Sequence, residues 1–169
     1  YTKLEVVNFV LDLAGYTIER PLQQLSLLEP SFGSGRFLLA ATERLISSLK
    51  TQRVDLEEID LKYAIRGVEL SRESYEFTKR EMFLLLLNSG FTQIRAEEMV
   101  ERWLICGDYL LTDFEKEFDV IVGNPPYLRQ ESIPAELLAE YRTRFSTMYD
   151  RADLYVPFIE KSLGLLKKG

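Results

Sequence analysis

Four consecutive residues near position 125 combine types that are suited to holding an amino group. Asn124, Pro125, Pro126 and Tyr127 come directly after the apolar run 118–122. The two prolines restrict the backbone and carry no amide hydrogen, so the Pro125 carbonyl oxygen can point outward beside the Asn124 side-chain oxygen. A rigid turn that leaves a strand is the alternative interpretation of the same residues.

Two such acceptors would answer a specific chemical problem. An amino group conjugated with an aromatic ring, such as N6 of adenine, is a poor nucleophile because its lone pair is delocalised into the ring. Acceptors that hold both of its hydrogens favour a more tetrahedral nitrogen. Tyr127 would stack on the same base, a contact worth about 1–3 kcal/mol once the base has left its helix. The segment therefore indicates transfer of a group to an exocyclic amine, by a scheme that requires no metal.

A glycine-containing turn precedes the first long helical pattern. Glu29, Ser31, Gly33 and Gly35 lie between an apolar run and the helical pattern that begins at Arg36. Glycines let a ligand approach the backbone closely, although an ordinary tight connection has the same composition. A phosphate loop would need Gly-Lys-Ser or Gly-Lys-Thr, and a dinucleotide loop would need a third glycine. The acidic Glu29 instead favours a cationic ligand.

Two further acids follow apolar runs. Glu69, next to Leu70, can accept both hydrogen bonds from a ribose diol, although a solvated helix cap is the alternative. Asp108 can accept a hydrogen bond from an exocyclic amino group, while Tyr109 would pack against a purine ring. The pair of segments indicates a nucleoside-like ligand.

The elements that must position these residues are short apolar strands that alternate with helices. Predicted strands cover residues 25–28, 63–68, 103–106 and 118–122, and predicted helices cover 3–14, 36–49, 72–87, 96–102, 135–144 and 152–168. This alternation predicts an α/β fold with a doubly wound, mostly parallel sheet. The polar residues that follow the four strands are Glu29, Glu69, Asp108 and Asn124. Because ligands bind at the carboxyl ends of parallel strands, we expect these side chains to share one crevice.

Composition narrows the class of protein. With 169 residues, 46% of them hydrophobic, the chain is long enough for one domain. The single cysteine, Cys106, excludes an internal disulfide, and the lack of histidine disfavours Ser-His-Asp and Cys-His hydrolases. Cys106 and Trp103 are interpreted as buried residues. Neither a signal peptide nor a membrane-spanning run is recognised, which predicts a soluble, cytoplasmic protein without membrane partners. The net charge of −6 does not by itself attract a polyanion.

The four segments, in this order, resemble the adenine-N6 DNA methyltransferases of restriction-modification systems. The resemblance is to the subgroup whose cofactor segments precede the catalytic one, and it implies a Rossmann-like fold and S-adenosylmethionine as cofactor. It also implies that Glu29 and the turn with Gly33 lie beside the methionine moiety, and that Glu69 holds the ribose. Asp108 with Tyr109 would then hold the cofactor adenine.

The same resemblance covers nearly the whole chain. The family has a Thr-Pro pair that opens a preceding helix, which matches Thr2 except that Lys3 replaces proline, and residues 1–24 form this helix and its connector. Asp153-Leu154-Tyr155 and the helix after it match the end of the pattern. Residues 1–169 are thus interpreted as the N-terminal part of a catalytic domain, truncated after the fourth strand and following helices. The resemblance places the domain that recognises double-stranded DNA, and any fused or associated nuclease or specificity subunit, outside this chain.

Three other functions are compatible with parts of the pattern. Methyltransferases for protein glutamine or for RNA bases resemble this chain at Asn124 to Tyr127, since an amide nitrogen poses the same chemical problem. A non-catalytic module could keep the fold for cofactor binding or assembly only. A nuclease site built on Asp60-Leu61-Lys62 lacks identifiable carboxylate partners, and solvated charge explains that segment better.

Overall fold

A four-stranded parallel sheet organises the chain in the computed structural model, which describes residues 2–149 and 152–168. The strands are β1 (Leu27–Glu29), β2 (Ile65–Glu69), β3 (Leu104–Cys106) and β4 (Val120–Ile121), in the spatial order β3-β2-β1-β4. Every pairing is parallel, and Leu27 lies opposite both Ile65 and Val120. The predicted parallel sheet is confirmed, and its carboxyl ends meet along one edge.

Within the described residues, six α-helices and two short 3-10 helices surround the sheet. The α-helices are α1 (Leu4–Leu13), α2 (Arg36–Thr51), α3 (Arg72–Ser89), α4 (Gln93–Trp103), α5 (Ala135–Arg144) and α6 (Tyr155–Leu165). The 3-10 helices are Leu22–Gln24 and Gln130–Ser132. Local signals set several ends: the Ser71 hydroxyl caps α3 by accepting from Ser74 N at 3.3 Å, and Gly90, with φ of 110°, ends the same helix.

Alternate strand residues enter two hydrophobic cores, one on each face of the sheet. Leu27 and Ile65 contribute to the larger core, which residues of α1 to α4 complete. Leu28 and Val68 point to the other face and pack with residues of α5 and α6. The sheet is therefore covered on both faces, as a doubly wound fold requires.

Several predicted element ends, and one prediction of burial, differ from the structure. Trp103 is fully buried, as predicted, but it ends α4 instead of beginning β3. Cys106, predicted to be buried, is exposed because it is the last residue of an edge strand. The last helix stops at Leu165, since Leu166 is extended and forms a parallel bridge with Phe118.

Within the described part of the chain, no helix combines the length and the apolar character that a bilayer span requires.

Candidate cofactor and catalytic site

A cavity of about 330 Å³ lies at the carboxyl ends of β1 and β4. Five residues that the sequence singles out line this cavity together: Thr2, Glu29, Ser31, Gly33 and Asn124. They come from the start of the chain, from the turn between β1 and α2, and from the end of β4. The predicted convergence of strand-end residues holds for this part of the crevice.

Glu29 carries the electrostatic character of the cavity. Its side chain is buried, and Oε2 has no hydrogen-bond partner among the described residues. Burial raises the pKa of Glu29 well above its usual range; a backbone hydrogen bond from Leu38 opposes the shift, and the Glu69 carboxylate adds to it. A cation placed in the cavity would stabilise the ionised form of this carboxyl group, because opposite charges favour ionisation.

The turn between β1 and α2 is open to a ligand at one glycine and closed at the other. Gly33 has φ of 51°, and a Cβ atom there would meet nothing within 4 Å. Gly35 has φ of 73°, is buried, and lies against the Thr78 side chain of α3 instead of lining the cavity. Thr78 Oγ1 also donates to the Gly33 carbonyl at 3.3 Å. The two glycines thus serve different purposes, ligand access and helix packing.

Glu69 holds the ends of β1 and β2 together. Its Oε2 accepts from the Gly33 amide at 2.7 Å, and Oε1 accepts from the Ser71 amide at 2.8 Å. Each carboxylate oxygen keeps a second lone pair, so the group can still accept hydrogen bonds from a diol. Leu70, in contrast, is 70% exposed and does not line the cavity.

Asp108 occupies the turn after β3, next to the end of β2. The Gly107 amide donates to the Glu69 carbonyl at 2.9 Å, which ties this turn to the neighbouring strand. Asp108 Oδ1 accepts from the Leu110 amide at 2.8 Å, and Oδ2 accepts a short hydrogen bond from the Tyr141 hydroxyl of α5. Burial and the adjacent Asp108 carboxylate raise the pKa of Tyr141, which therefore stays a donor at neutral pH.

Contrary to the prediction, the ring of Tyr109 does not line the crevice. Tyr109 is 2% exposed and lies in the second core, with its ring centroid 4.9 Å from that of Phe158. Its hydroxyl shares a hydrogen bond of 3.0 Å with Ser162 Oγ, and burial raises its pKa to about 12. The ring points to the sheet face that α6 covers, so it anchors the turn and is not available to stack on a purine.

The segment Asn124 to Tyr127 projects its polar groups outward. Asn124 is exposed, and within the described residues neither its side chain nor the Pro125 carbonyl makes a hydrogen bond. Tyr127 is 78% exposed, and Pro126, beside it, is partly buried. Within the described residues the two acceptors therefore have no competing partner, and Asn124 itself lines the cavity together with Glu29.

Several contacts of these residues are not predicted by the sequence. The Tyr155 ring lies 6.0 Å from that of Tyr127, and the Leu154 amide donates to the Leu128 carbonyl at 2.9 Å. Tyr141, Lys161 and Ser162 contact the Asp108 turn from α5 and α6. The only available signal is the helical spacing of Phe158, Lys161 and Ser162, which places polar groups beside an aromatic ring on one face of α6.

The residues present fit a nucleoside sulfonium ligand with an amino-acid tail. The unpaired Glu29 oxygen suits a cationic group, and the empty space at Gly33 admits a ligand against the backbone. Glu69 and Asp108 supply acceptors at the next two strand ends. The described residues contain no cluster of three or more His, Cys, Asp or Glu side chains that could hold a metal ion.

Two solved structures share the fold with this chain. One, from Listeria monocytogenes, is described as a class I S-adenosylmethionine-dependent methyltransferase; it aligns with a TM-score of 0.54 and 17% identity over 93% of this chain and 41% of its own. Another, from Vibrio vulnificus YJ016, is described as a modification subunit of a type I restriction enzyme, with a TM-score of 0.55 and 18% identity over 99% of this chain and 31% of its own. The expectation of a Rossmann-like methyltransferase fold is confirmed.

Sequence comparison gives the family. The type II methyltransferase M.PaeR7I of Pseudomonas aeruginosa is 51% identical over the whole of this chain, which spans 30% of the length of that relative. Residues 63–169, which include the Asp108 turn and the segment Asn124 to Tyr127, match the Eco57I restriction-modification methylase family. The chain therefore belongs to the Eco57I restriction-modification methylase family.

Proposed function

We propose that this chain carries the cofactor site and the base-holding motif of a DNA methyltransferase that modifies N6 of adenine. One observation carries the proposal: Asn124, whose side chain has no hydrogen-bond partner among the described residues, lines the same cavity as Glu29 and Gly33, and Pro125 follows it directly in the chain. A cavity for a cationic donor next to two acceptors for an amino group is the arrangement that such a transfer needs.

S-adenosylmethionine is the proposed cofactor, and when bound it supplies an electrophilic methyl group on a positively charged sulfur. Thr2, Glu29, Ser31 and Gly33 are the residues proposed to hold its methionine part. Glu69 would accept hydrogen bonds from the ribose hydroxyls, and Asp108 would accept one from the adenine amino group. The contact proposed for Thr2 departs from the family's pattern in one respect, since Lys3 stands where the family has proline.

The chain's own residues would prepare the target amine. Asn124 Oδ1 and the Pro125 carbonyl would each accept one N6 hydrogen, which favours a nitrogen with an available lone pair. Pro126 would fix the course of the backbone, and Tyr127 would stack on the extruded base. The proton that the nitrogen loses would pass to solvent. The scheme therefore needs no dedicated base, and the sequence contains no histidine that could act as one.

Double-stranded DNA would be bound mostly by parts of the protein other than residues 1–169. The chain has 21 basic and 27 acidic side chains, so its own field opposes a polyanion. Phosphate contacts and base recognition are therefore assigned to a separate recognition domain, and a nuclease, fused or associated, is the proposed partner in restriction and modification.

The test uses the full-length protein with methyl-labelled cofactor and genomic DNA, followed by digestion to nucleosides. Label is expected in N6-methyladenine. Asn124→Ala should lower the rate of methylation by about a hundredfold or more, because it removes an acceptor that acts in the transition state. The affinity of the Asn124→Ala variant for the cofactor should change far less than its rate of methylation. Asn88→Ala, at an exposed asparagine of α3, is the matched control and should keep the wild-type rate.

Each alternative function has its own outcome in this assay. Label in N4-methylcytosine would replace the adenine assignment, and label in protein or RNA would favour a glutamine or RNA methyltransferase. Cofactor binding without transfer to any substrate would favour a non-catalytic module. An unchanged rate in the Asn124 variant would contradict the proposed role of the motif.

A further inference from the structure

The ammonium group of Lys161 binds a turn of backbone carbonyls on the far side of the crevice. Its Nζ donates to the Tyr109 carbonyl at 2.6 Å, to the Leu110 carbonyl at 3.2 Å, and to the Thr112 carbonyl through a short hydrogen bond. All three carbonyls belong to the turn that follows Asp108. One side chain from α6 therefore satisfies three acceptors of a loop about 50 residues earlier in the chain.

Neighbouring residues of α6 hold the same turn. Phe158 packs its ring 4.9 Å from that of Tyr109, and Ser162 shares a hydrogen bond with the Tyr109 hydroxyl. Phe158, Lys161 and Ser162 have helical spacings of three and four residues, so they lie on one face of α6. This face of α6 contacts the ring, the hydroxyl and the carbonyl of Tyr109. These contacts fix the position of the residue that directly follows Asp108.

Lys161 is an unusual cation in its surroundings. It is half-buried, and within the described residues it has no carboxylate at ion-pair distance; its Nζ lies 5.0 Å from the Tyr109 ring centroid and 5.5 Å from that of Phe114. Burial lowers its pKa to about 8, with Arg144 acting in the same direction and the carboxylates of Asp113 and Asp108 opposing the shift.

Three other titratable groups that face this region, Tyr109, Tyr141 and Arg144, keep their protonation state near neutrality. Burial raises the pKa of Tyr109 to about 12 and raises that of Tyr141 further. Arg144 of α5 has a raised pKa because of its hydrogen bond to Glu140. Among these four groups, Lys161 is the one whose pKa, about 8, lies close to neutrality.

We propose that Lys161 is a positioning residue for cofactor binding: its ammonium holds the turn of residues 109–112 so that Asp108 presents its carboxylate to the adenine end of the cofactor. The proposal rests on the proposed cofactor site, and it is independent of which amine is methylated. Lys161 itself touches neither cofactor nor base in this arrangement.

The variants are Lys161→Met, which keeps the length of the side chain but removes the donors, and Lys161→Arg, which keeps a cation. Lys79→Met is the matched control, since Lys79 is a partly buried lysine that pairs with Glu101 between α3 and α4. The probe is 5′-methylthioadenosine, which has the adenosine part of the cofactor but no amino-acid part and hence no titrating amine. Binding is measured on the full-length protein by calorimetry, with thermal unfolding of each variant in parallel.

At pH 7, Lys161→Met should bind the probe about tenfold more weakly, the effect of losing hydrogen bonds from a charged donor. Lys161→Arg should recover most of the affinity, and Lys79→Met should match the wild type. The rate at saturating cofactor and DNA should change by less than about threefold, because the loss falls on binding and not on the transition state.

A pH series on the wild type tests the proposal even if the methionine variant fails to fold. Between pH 7 and pH 9 the wild-type affinity for the probe should fall toward that of Lys161→Met, as an ammonium with a pKa of about 8 loses its proton. Lys161→Arg should show no such fall, because arginine stays charged throughout this range. The series is run in a Cys106→Ser background, which removes the exposed cysteine that precedes this turn.

Two results would overturn the role of Lys161 alone: a wild-type affinity that is flat from pH 7 to pH 9, or a folded Lys161→Met variant that binds the probe like wild type with only a lower thermal midpoint. A wild type that binds neither the probe nor S-adenosylmethionine would instead contradict the cofactor site, and with it both proposals.

Discussion

Glu29 is a buried acid beside an open turn, and its protonation should depend on the ligand. In the free protein, burial raises its pKa, so the folded state retains a proton at pH values where the unfolded chain, with a glutamate pKa of about 4.3, has lost it. The folded state therefore loses stability as the pH rises above that value. A cationic ligand reverses the preference, which makes this one residue costly for the free protein and useful for the bound one.

Glu29→Gln should lower the pH dependence of the free energy of unfolding and weaken the binding of the cofactor. The neutral amide removes the cost of ionisation, so the free energy of unfolding should fall less between pH 5 and pH 8 than in the wild type. Burial of the amide adds a cost that does not depend on pH, and the slope is therefore the informative quantity. Thermal unfolding across this range measures it, and parallel slopes would contradict the assignment.

The same variant should distinguish the two ends of the cofactor. S-adenosylmethionine should bind about tenfold more weakly to Glu29→Gln, since a charged partner is lost, while 5′-methylthioadenosine should bind as before. Calorimetry at pH 6.5 measures both affinities. Equal losses for the two ligands would place Glu29 elsewhere than at the amino-acid end.

At the scale of elements, the turn from β1 to α2 joins the cavity to the packing of two helices. Gly35 begins α2 and lies against Thr78 of α3, so the direction of α2 depends on the absence of a side chain there. Gly33 shares the positive φ but faces open space. Gly35 therefore serves the packing of the helices, and Gly33 leaves space for a ligand.

Gly35→Ala should be the more destabilising of two matched variants. A left-handed conformation costs a residue other than glycine about 1–2 kcal/mol, and overpacking adds about 1–3 kcal/mol where the new Cβ comes within 2.7 Å of Thr78 Oγ1. Gly33→Ala should show only the first cost, yet it should weaken cofactor binding because its methyl group enters the cavity. Chemical denaturation and calorimetry measure the two effects.

Thr78→Ala is the control for this pair of variants. In the Gly35→Ala background it should restore part of the lost stability, and in the wild type it should remove the hydrogen bond to Gly33. Strictly additive effects of Gly35→Ala and Thr78→Ala would contradict the contact.

For the whole molecule, Asp119 joins parts of the chain that are far apart in sequence. Its Oδ2 accepts from the Ser26 amide and hydroxyl, both at 2.8 Å, and from Lys167 Nζ at 2.7 Å. The start of β1, the start of β4 and the residues after α6 thus meet at one carboxylate. Beside it, Leu166 bridges to Phe118 along the outer side of β4.

Asp119→Asn should destabilise the protein at neutral pH by about 1.5–3 kcal/mol, the range for hydrogen bonds to a charged group. Although burial opposes ionisation, the hydrogen bonds from Lys167 and Ser26 lower the pKa of Asp119. The stabilisation is therefore complete above the unfolded value of about 3.9 and is lost as the pH falls through the lower folded value.

Denaturant unfolding at pH 7 and near pH 3 tests this expectation, and the difference between variant and wild type should shrink at the lower pH. Asp113→Asn is the charge-matched control, because that side chain is 98% exposed and, among the described residues, its only ion pair is with Arg144 at 4.0 Å. A deficit that persists unchanged in acid would show that the loss of charge is not its cause.

The alternation of apolar runs and helical periods by itself determined the fold class, the number of strands, and the strand ends at which polar groups stand. These are local properties, since periodicity and turn residues act within a few positions. The acceptors of the segment Asn124 to Tyr127 could likewise be predicted from the sequence. Two prolines restrict their own backbone, so this prediction does not depend on a distant partner.

Only the tertiary structure decided on which face of the sheet each strand-end side chain lies and what holds it there. Tyr109 was expected in the crevice, but α6, about 50 residues later, packs over it and draws the ring into the second core. In the sequence, Lys161 is one polar residue of an ordinary helical pattern. Its three carbonyl partners come close to it only in the folded chain. Such contacts depend on long-range packing of elements, which the residue pattern of a single segment does not encode.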